Sequence, residues 1–257
     1  MQRPTVTLDS ARAPQGMRLY AVGDVHGERD AAAEILGRIR ADLAARPVGA
    51  HAEIWVGDFI DRGADSAGVF DLMLTAPGTA ERICLLGNHD DFLRRFIATA
   101  ARDVLAIWLT NGGVAACLSW GVDPLLMDAE LSEEGTRAFR DRLAAALPPA
   151  HHAFLRGLRP SAVFDDFAFV HAGIRPGLPL DAQREDDLIW IRDDFLDHRG
   201  PHGHVIVHGH TPTQAIEVTP CRIGIDTGAG KGGRLSAIAI ETGTVHRLDP
   251  AGAVRIA

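Results

Sequence analysis

With 46 % hydrophobic and 23 % charged residues in 257, the chain has the balance of a globular fold with a large core, which excludes a disordered or collagen-like protein. A net charge of −8 repels nucleic-acid backbones and anionic bilayers, so neither nucleic acid nor membrane is expected as a partner. Met1–Met17 lacks the apolar segment of a signal peptide, and no later window approaches the roughly 18 apolar residues of a membrane span. The pattern predicts a cytoplasmic protein with a loose N-terminal arm over residues 1–17 and a single domain over residues 18–257.

In chain order, Arg18–Val22 is a short apolar run that ends in Gly23-Asp24-Val25-His26-Gly27. A helix is predicted over Arg29–Ala45, with Ile35, Leu36, Ile39 and Leu43 on one face. Ala52–Val56 then runs into Gly57-Asp58-Phe59-Ile60-Asp61-Arg62-Gly63, followed by a helical stretch over Asp65–Thr75. Arg82–Leu86 leads to Gly87-Asn88-His89-Asp90, and helical periodicity covers Asp91–Trp108, Glu130–Leu147 and Pro149–Leu158. These helices, about residues 91–165, read as an insertion over the strand ends that carries no catalytic turn of its own. Phe167–Val170 ends in His171-Ala172-Gly173, and Val205–Val207 in His208-Gly209-His210. Short strands over Arg222–Ile225, Arg234–Ile240 and Thr244–Leu248 complete the chain, the last two joined as a hairpin. Strand, turn, helix and strand in this order favour an α/β sheet with its ligand groups at the carboxyl ends of the strands.

Five strand-end turns therefore carry Asp, Asn or His beside Gly. Carboxylate and imidazole suit Mn²⁺, Fe or Zn²⁺, while the absence of thiolate from the set argues against a structural zinc site. Asp24 and His26, two residues apart on an extended strand end, leave on one face and can chelate one cation. Asp58 has two oxygens with which to bridge two cations, and Asn88, His171 and His210 would complete a second coordination sphere. The sum is a two-metal centre of the kind that activates water for phosphoryl transfer.

At these motifs, from Leu19 to about Leu235, the chain resembles the calcineurin-like metallophosphoesterases, in the branch of the bacterial serine/threonine protein phosphatases. The resemblance implies an αββα sandwich with two divalent ions, Mn²⁺ first and Fe or Zn²⁺ as alternatives. It assigns Asp24, His26 and Asp58 to one metal and Asp58, Asn88, His171 and His210 to the other. His89 becomes the general acid, oriented by Asp61, and Arg62 and Arg192 hold phosphoryl oxygens. A hydroxide bridging the metals attacks phosphorus directly in a phosphoprotein or small phosphoester. Gly-Asn-His-Asp also occurs in symmetrical diadenosine tetraphosphate hydrolases, so hydrolysis of a dinucleoside polyphosphate is the alternative activity. Asp61-Arg62-Gly63 keeps the phosphatase form, and the acidic start of the helix at Glu130, Glu133 and Glu134 disfavours a polyphosphate.

Other features read more plainly. Arg175 is a further phosphate candidate, and His208 a buried neighbour of the ligand His210. His51, His151, His152, His198, His202, His204 and His246 have no motif around them and read as solvated. Gly228-Ala229-Gly230-Lys231-Gly232-Gly233 matches GxGxxG, but a strand follows it where a dinucleotide site needs a helix; it reads as a mobile turn near the metal cleft.

Overall fold

A computed structural model describes residues 5–77, 81–126 and 132–257. Two sheets pack face to face with helices on their outer sides, the αββα arrangement expected. The first has the order β11-β10-β9-β1-β2-β3, from Gly252–Arg255, Thr244–Asp249, Ala237–Glu241, Met17–Val22, Ala50–Trp55 and Glu81–Cys84 respectively. The second has the order β4-β5-β6-β8-β7, from Ser161–Phe164, Phe167–Val170, Val205–His208, Arg222–Gly224 and Glu217–Val218. β1, β2 and β3 are parallel, as are β5, β6 and β8.

Period-two alternation explains why these strands read as continuous apolar runs: both faces are covered. Along β1, Leu19 and Ala21 face the other sheet, meeting Phe167, Phe169, Val205 and Val207, while Tyr20 and Val22 face the helices. The helices include α1 (Arg29–Ala45), α2 (Ser66–Thr75, N-capped by Asp65), α3 (Asn88–Thr99) and α4 (Arg102–Trp108). They continue with α5 (Val114–Ser119), α6 (Glu133–Ala146), α7 (Pro149–Gly157), α8 (Glu185–Trp190) and α9 (Asp193–Leu196).

Several expectations need correction. The helix drawn over Asp91–Trp108 is two helices: it starts at Asn88 and breaks at Ala100, whose φ of 51° is left-handed. Ser132 caps α6, and Glu130 lies outside the described residues. Residues 5–16 are not a loose arm, because Val6, Leu8, Ala11 and Ala13 are buried in the inter-sheet core. Their backbone is tied down by Leu8 N–H donating to Pro220 O and Ala13 N–H to Thr242 O, at 2.7 and 2.6 Å. His151 is buried, donating to Asp71 at 2.9 Å and accepting the Trp120 indole N–H at 3.0 Å, and His204 is buried too. Cys117 and Cys221 are buried, whereas Cys84 is only partly so.

A buried charge network pins β1 to α1. Arg18 pairs with Asp42 at 3.1 Å and with Glu241 at 2.7 Å, and the Tyr20 hydroxyl donates to Asp42 at 2.6 Å. Removing one partner leaves a buried charge exposed to low dielectric, which costs several kcal/mol. Asp42→Ala is expected to lower unfolding stability in urea by about 3 kcal/mol; a change under about 1 kcal/mol would mean Glu241 alone satisfies Arg18.

Candidate metal centre and active site

The parallel strands of both sheets end at the same side of the sandwich, and the turns leaving them converge. β1 delivers Asp24 and His26, β2 Asp58, β3 Asn88 and His89, β5 His171 and β6 His210. All of these side chains are buried. Five site residues, His26, Asp58, Asp61, Arg62 and His210, hold positive φ between 46° and 75°. Left-handed backbone at a non-glycine residue costs of order 1 kcal/mol and persists where surrounding contacts over-determine it.

Asp58 stands at the centre. Its Oδ2 lies 3.5 Å from His26 Nε2 and 4.0 Å from His89 Nε2, while its Oδ1 lies 3.4 Å from His171 Nε2. One oxygen thus faces each of two donor groups: His26, Asp58 and His89 on one side, and Asp58, His171 and His210 on the other. Asn88 belongs with the second, its Oδ1 lying 3.0 Å from His171 Nε2 and 2.8 Å from His210 Nδ1. Asp24 accepts the His210 backbone N–H at 3.0 Å. Gly209 makes that approach possible, since a Cβ there would fall 1.9 Å from Asp24 Oδ1.

The donor set fits divalent cations. His171 Nδ1–H donates to Val56 O at 2.8 Å, which leaves a lone pair on Nε2 facing Asn88 Oδ1 and Asp58 Oδ1, three acceptors with no proton among them. His26 Nδ1–H likewise donates to Ile60 O at 3.0 Å, turning its Nε2 lone pair inward. His210 Nε2 is buried without a hydrogen-bond partner. Burial pushes His26 down to about 3 and His210 down to about 2, so both imidazoles are neutral. Burial alone would raise Asp58, but the surrounding His171, His89, His26 and His210 hold its carboxyl below the usual range. Burial, Asp226 and Asp58 raise Asp24 well above that range.

Beside this centre, His89 Nδ1–H donates to Asp61 Oδ2 at 2.6 Å, as the sequence led one to expect of an oriented acid. Arg62 donates to His89 Nε2 at 2.9 Å and also to His26 Nε2, so the guanidinium bridges two lone pairs. Arg192 is exposed at the start of α9, donates to Thr211 Oγ1 at 3.4 Å, and its charge is felt at His210. Arg175 does not join the site; it pairs with Asp187 at 2.7 Å and Asp194 at 3.2 Å. His208 turns its Nδ1 to Gly209 O and packs on Phe195.

Four features escaped the sequence. Asp226, at the end of β8, is a further buried carboxyl beside Asp24 and Asp58. Asp90 faces backbone, accepting N–H from Gly87 and Phe59 at 3.0 Å each. The insertion does reach the site: Gly112 O accepts Arg62 N–H at 3.2 Å and the Trp108 indole donates to Asp61. Lys231, the one lysine of the chain, sits on the glycine turn whose Gly230 packs against His26 and Arg62. It lies in the field of Arg62, Asp226, Arg192 and Asp24, so the cations at the cleft come from here and from Arg192. The acidic turn Glu133–Glu134 belongs to α6, which packs behind α3 through Phe139 and Phe96. The glycine turn Gly228–Gly233, read from the sequence as mobile, is closed by Lys231 N–H and Gly233 N–H donating to Gly228 O.

Residues 17–231 match the family model of the calcineurin-like phosphoesterases. The chain belongs to that family. It is a hydrolase of phosphoester bonds, and the family's divalent metals have candidate ligands in the two groups around Asp58. Serine/threonine-protein phosphatase 1 of Salmonella typhimurium is 27% identical over 246 residues, covering 94% of this chain and 100% of that protein. The asymmetrical bis(5'-nucleosyl)-tetraphosphatase PrpE of Anoxybacillus flavithermus is 26% identical over 239 residues, covering 84% and 88%. The symmetrical bis(5'-nucleosyl)-tetraphosphatase of Nitrosospira multiformis is 24% identical over 272 residues, covering 91% and 96%. A cold-active protein tyrosine phosphatase structure shares the fold, with a TM-score of 0.62 at 16% identity over 95% of this chain and 81% of that one. No helix among the described residues is long and apolar enough to cross a membrane.

Metal loading of this centre carries a proton signature. Asp24, its carboxyl raised by burial and by Asp226, must lose a proton to coordinate, whereas His26 and His210 have none to lose. Mn²⁺ affinity measured by calorimetry on stripped protein is expected to weaken as pH falls from about 7 toward 5, with proton release on binding. Affinity that stays constant over that range would remove Asp24 from the ligand set.

Proposed function

We propose that the chain is a phosphomonoesterase of the serine/threonine protein phosphatase kind, dependent on two divalent ions. The observation that carries this reading is the His89–Asp61 pair, buried and set beside a donor set that offers one Asp58 oxygen to each of two sides. A phosphoseryl alkoxide is a poor leaving group, and a positioned acid is what its departure requires. When bound, two divalent ions lower the pKa of water and neutralise charge on the phosphoryl oxygens.

The chain's own residues do the rest. Asp24, His26 and Asp58 would hold one ion, and Asp58, Asn88, His171 and His210 the other, with Mn²⁺ the ion best matched to oxygen and imidazole donors. Arg62, freed from the two imidazoles, presents a planar fork to two phosphoryl oxygens, and Arg192 approaches from the α9 side. Once Arg62 has left it, His89 takes up a proton at Nε2 and passes it to the leaving oxygen, while Asp61 holds Nδ1–H and fixes the ring. No residue is positioned as a covalent acceptor in this scheme.

A dinucleoside polyphosphate is the second reading, and one observation favours it. Lys231 and Arg192 bring two cations to the cleft from separate loops, which suits a substrate with further phosphates.

Chelation is expected to abolish aryl phosphate hydrolysis and Mn²⁺ to restore it; full turnover in metal-free protein would defeat the two-ion scheme. In parallel assays, kcat/KM for phosphoserine or phosphothreonine peptides is expected to exceed that for diadenosine tetraphosphate by at least about tenfold, roughly 1.4 kcal/mol in transition-state binding. The reverse order would make the polyphosphate reading the function.

A further inference from the structure

The insertion reaches the catalytic pair through one aromatic residue. Trp108 closes α4 and is fully buried. Its indole Nε1–H lies 2.9 Å from both Asp61 oxygens, one of which accepts His89 Nδ1–H at 2.6 Å. The segment that follows, Leu109–Gly113, breaks the helix between α4 and α5, and Gly112 within it holds a φ of 114°. That turn does two things at once. Gly112 O accepts the Arg62 backbone N–H, and Gly113 closes on the indole so tightly that a Cβ there would fall 2.7 Å from Nε1. A single irregular turn therefore braces the indole against Asp61 and the backbone of Arg62.

Asp61 itself stands in left-handed backbone, with φ 75°, and its N–H is fixed by Ser66 Oγ at 3.0 Å. The carboxylate therefore has its backbone fixed by α2, one oxygen shared between imidazole and indole, and the other held by the indole. Without the indole N–H, Asp61 is free to rotate about its Cβ–Cγ bond, and the His89 ring turns with the oxygen that it follows.

We infer that Trp108 is a positioning residue for the general acid: its indole N–H fixes the Asp61 carboxylate and, through it, the direction in which His89 Nε2 points. The inference rests on the reading of His89 as the acid. It touches neither the metal ligands nor the phosphate, so the effect is confined to protonation of the leaving group.

The test compares Trp108→Phe with replacement of Trp108 by 3-benzothienylalanine, which keeps the indole shape but puts sulfur in place of N–H. Each is assayed on phosphoserine peptide and on an aryl phosphate, whose phenolate leaves without an acid. Loss of a hydrogen bond to a buried charged group predicts a fall in kcat of about tenfold on phosphoserine for both variants, with aryl phosphate changed less than about twofold. KM and the two bound metals, by elemental analysis, are expected to be unchanged. Gly113→Ala, which presses on the indole, is expected to give the same selective loss in smaller measure. His89→Ala is the control. If His89→Ala loses phosphoserine turnover selectively while the benzothienyl protein keeps full turnover on both substrates, or loses both equally, the positioning role is wrong. If His89→Ala loses both substrates equally, the acid reading fails and the inference fails with it.

Discussion

Everything at the strand ends of this protein answers one electrostatic problem. Asp24, Asp58, Asp61, Asp90 and Asp226 are buried within one polar cluster, and the imidazoles of His26, His171 and His210 among them are held neutral by that same burial. A buried carboxylate without a counter-charge costs several kcal/mol. The structure meets part of the cost with backbone: Gly87 and Phe59 N–H serve Asp90, Gly228 N–H serves Asp226, His210 N–H serves Asp24 and His89 N–H serves Asp58. What backbone dipoles leave over is what divalent cations would supply.

Holding so many acceptors around a point restricts the chain that carries them. The turns after β1, β2 and β6 bend through left-handed residues because the side chains must leave the strand ends toward one another rather than along the sheets. The sandwich provides the rigidity that such strain requires. Leu19, Ala21, Ile54 and Val56 lock against Phe167, Phe169 and Val207 directly beneath the site, so the turns of one sheet cannot shift relative to those of the other without opening the core.

The legibility of this arrangement in the sequence followed the same division. Asp24, His26, Asp58, Asn88, His171 and His210 sit in short turns after apolar runs, where local residue pattern and spacing are sufficient to group them, and the structure brings all six together. The pairing of His89 with Asp61 came from the family resemblance instead, and the two side chains lie 2.6 Å apart. Lys231 was quoted as a motif letter and Asp226 lies just beyond a short strand, but their approach to Arg62 and Asp24 depends on β8 lying beside β6, a pairing no local pattern encodes. Trp108 was read as one more apolar position of a helix, since a period of 3.6 says which side chain is buried but not that its one polar atom meets a carboxylate. The break at Ala100, the two short helices α8 and α9, and the edge strand β11 were missed because none is long enough to show a period. His151 was misjudged because its partners, Asp71 and Trp120, are each at least 31 residues away in the chain.

Arg62 is shared between two imidazoles of the site. Its guanidinium lies across the inward lone pairs of His26 and His89, standing in for the positive charge that the cluster lacks. Under the proposed assignment, His26 cannot accept a metal while it accepts Arg62, and Arg62 cannot grasp a phosphoryl group while it serves the imidazoles. Ion and substrate are then thermodynamically linked through one side chain: each cation that enters releases the residue that the anion needs, and each anion that draws Arg62 away leaves a vacant lone pair for the cation. Cation and phosphoryl binding at this cleft would then favour each other through Arg62 alone.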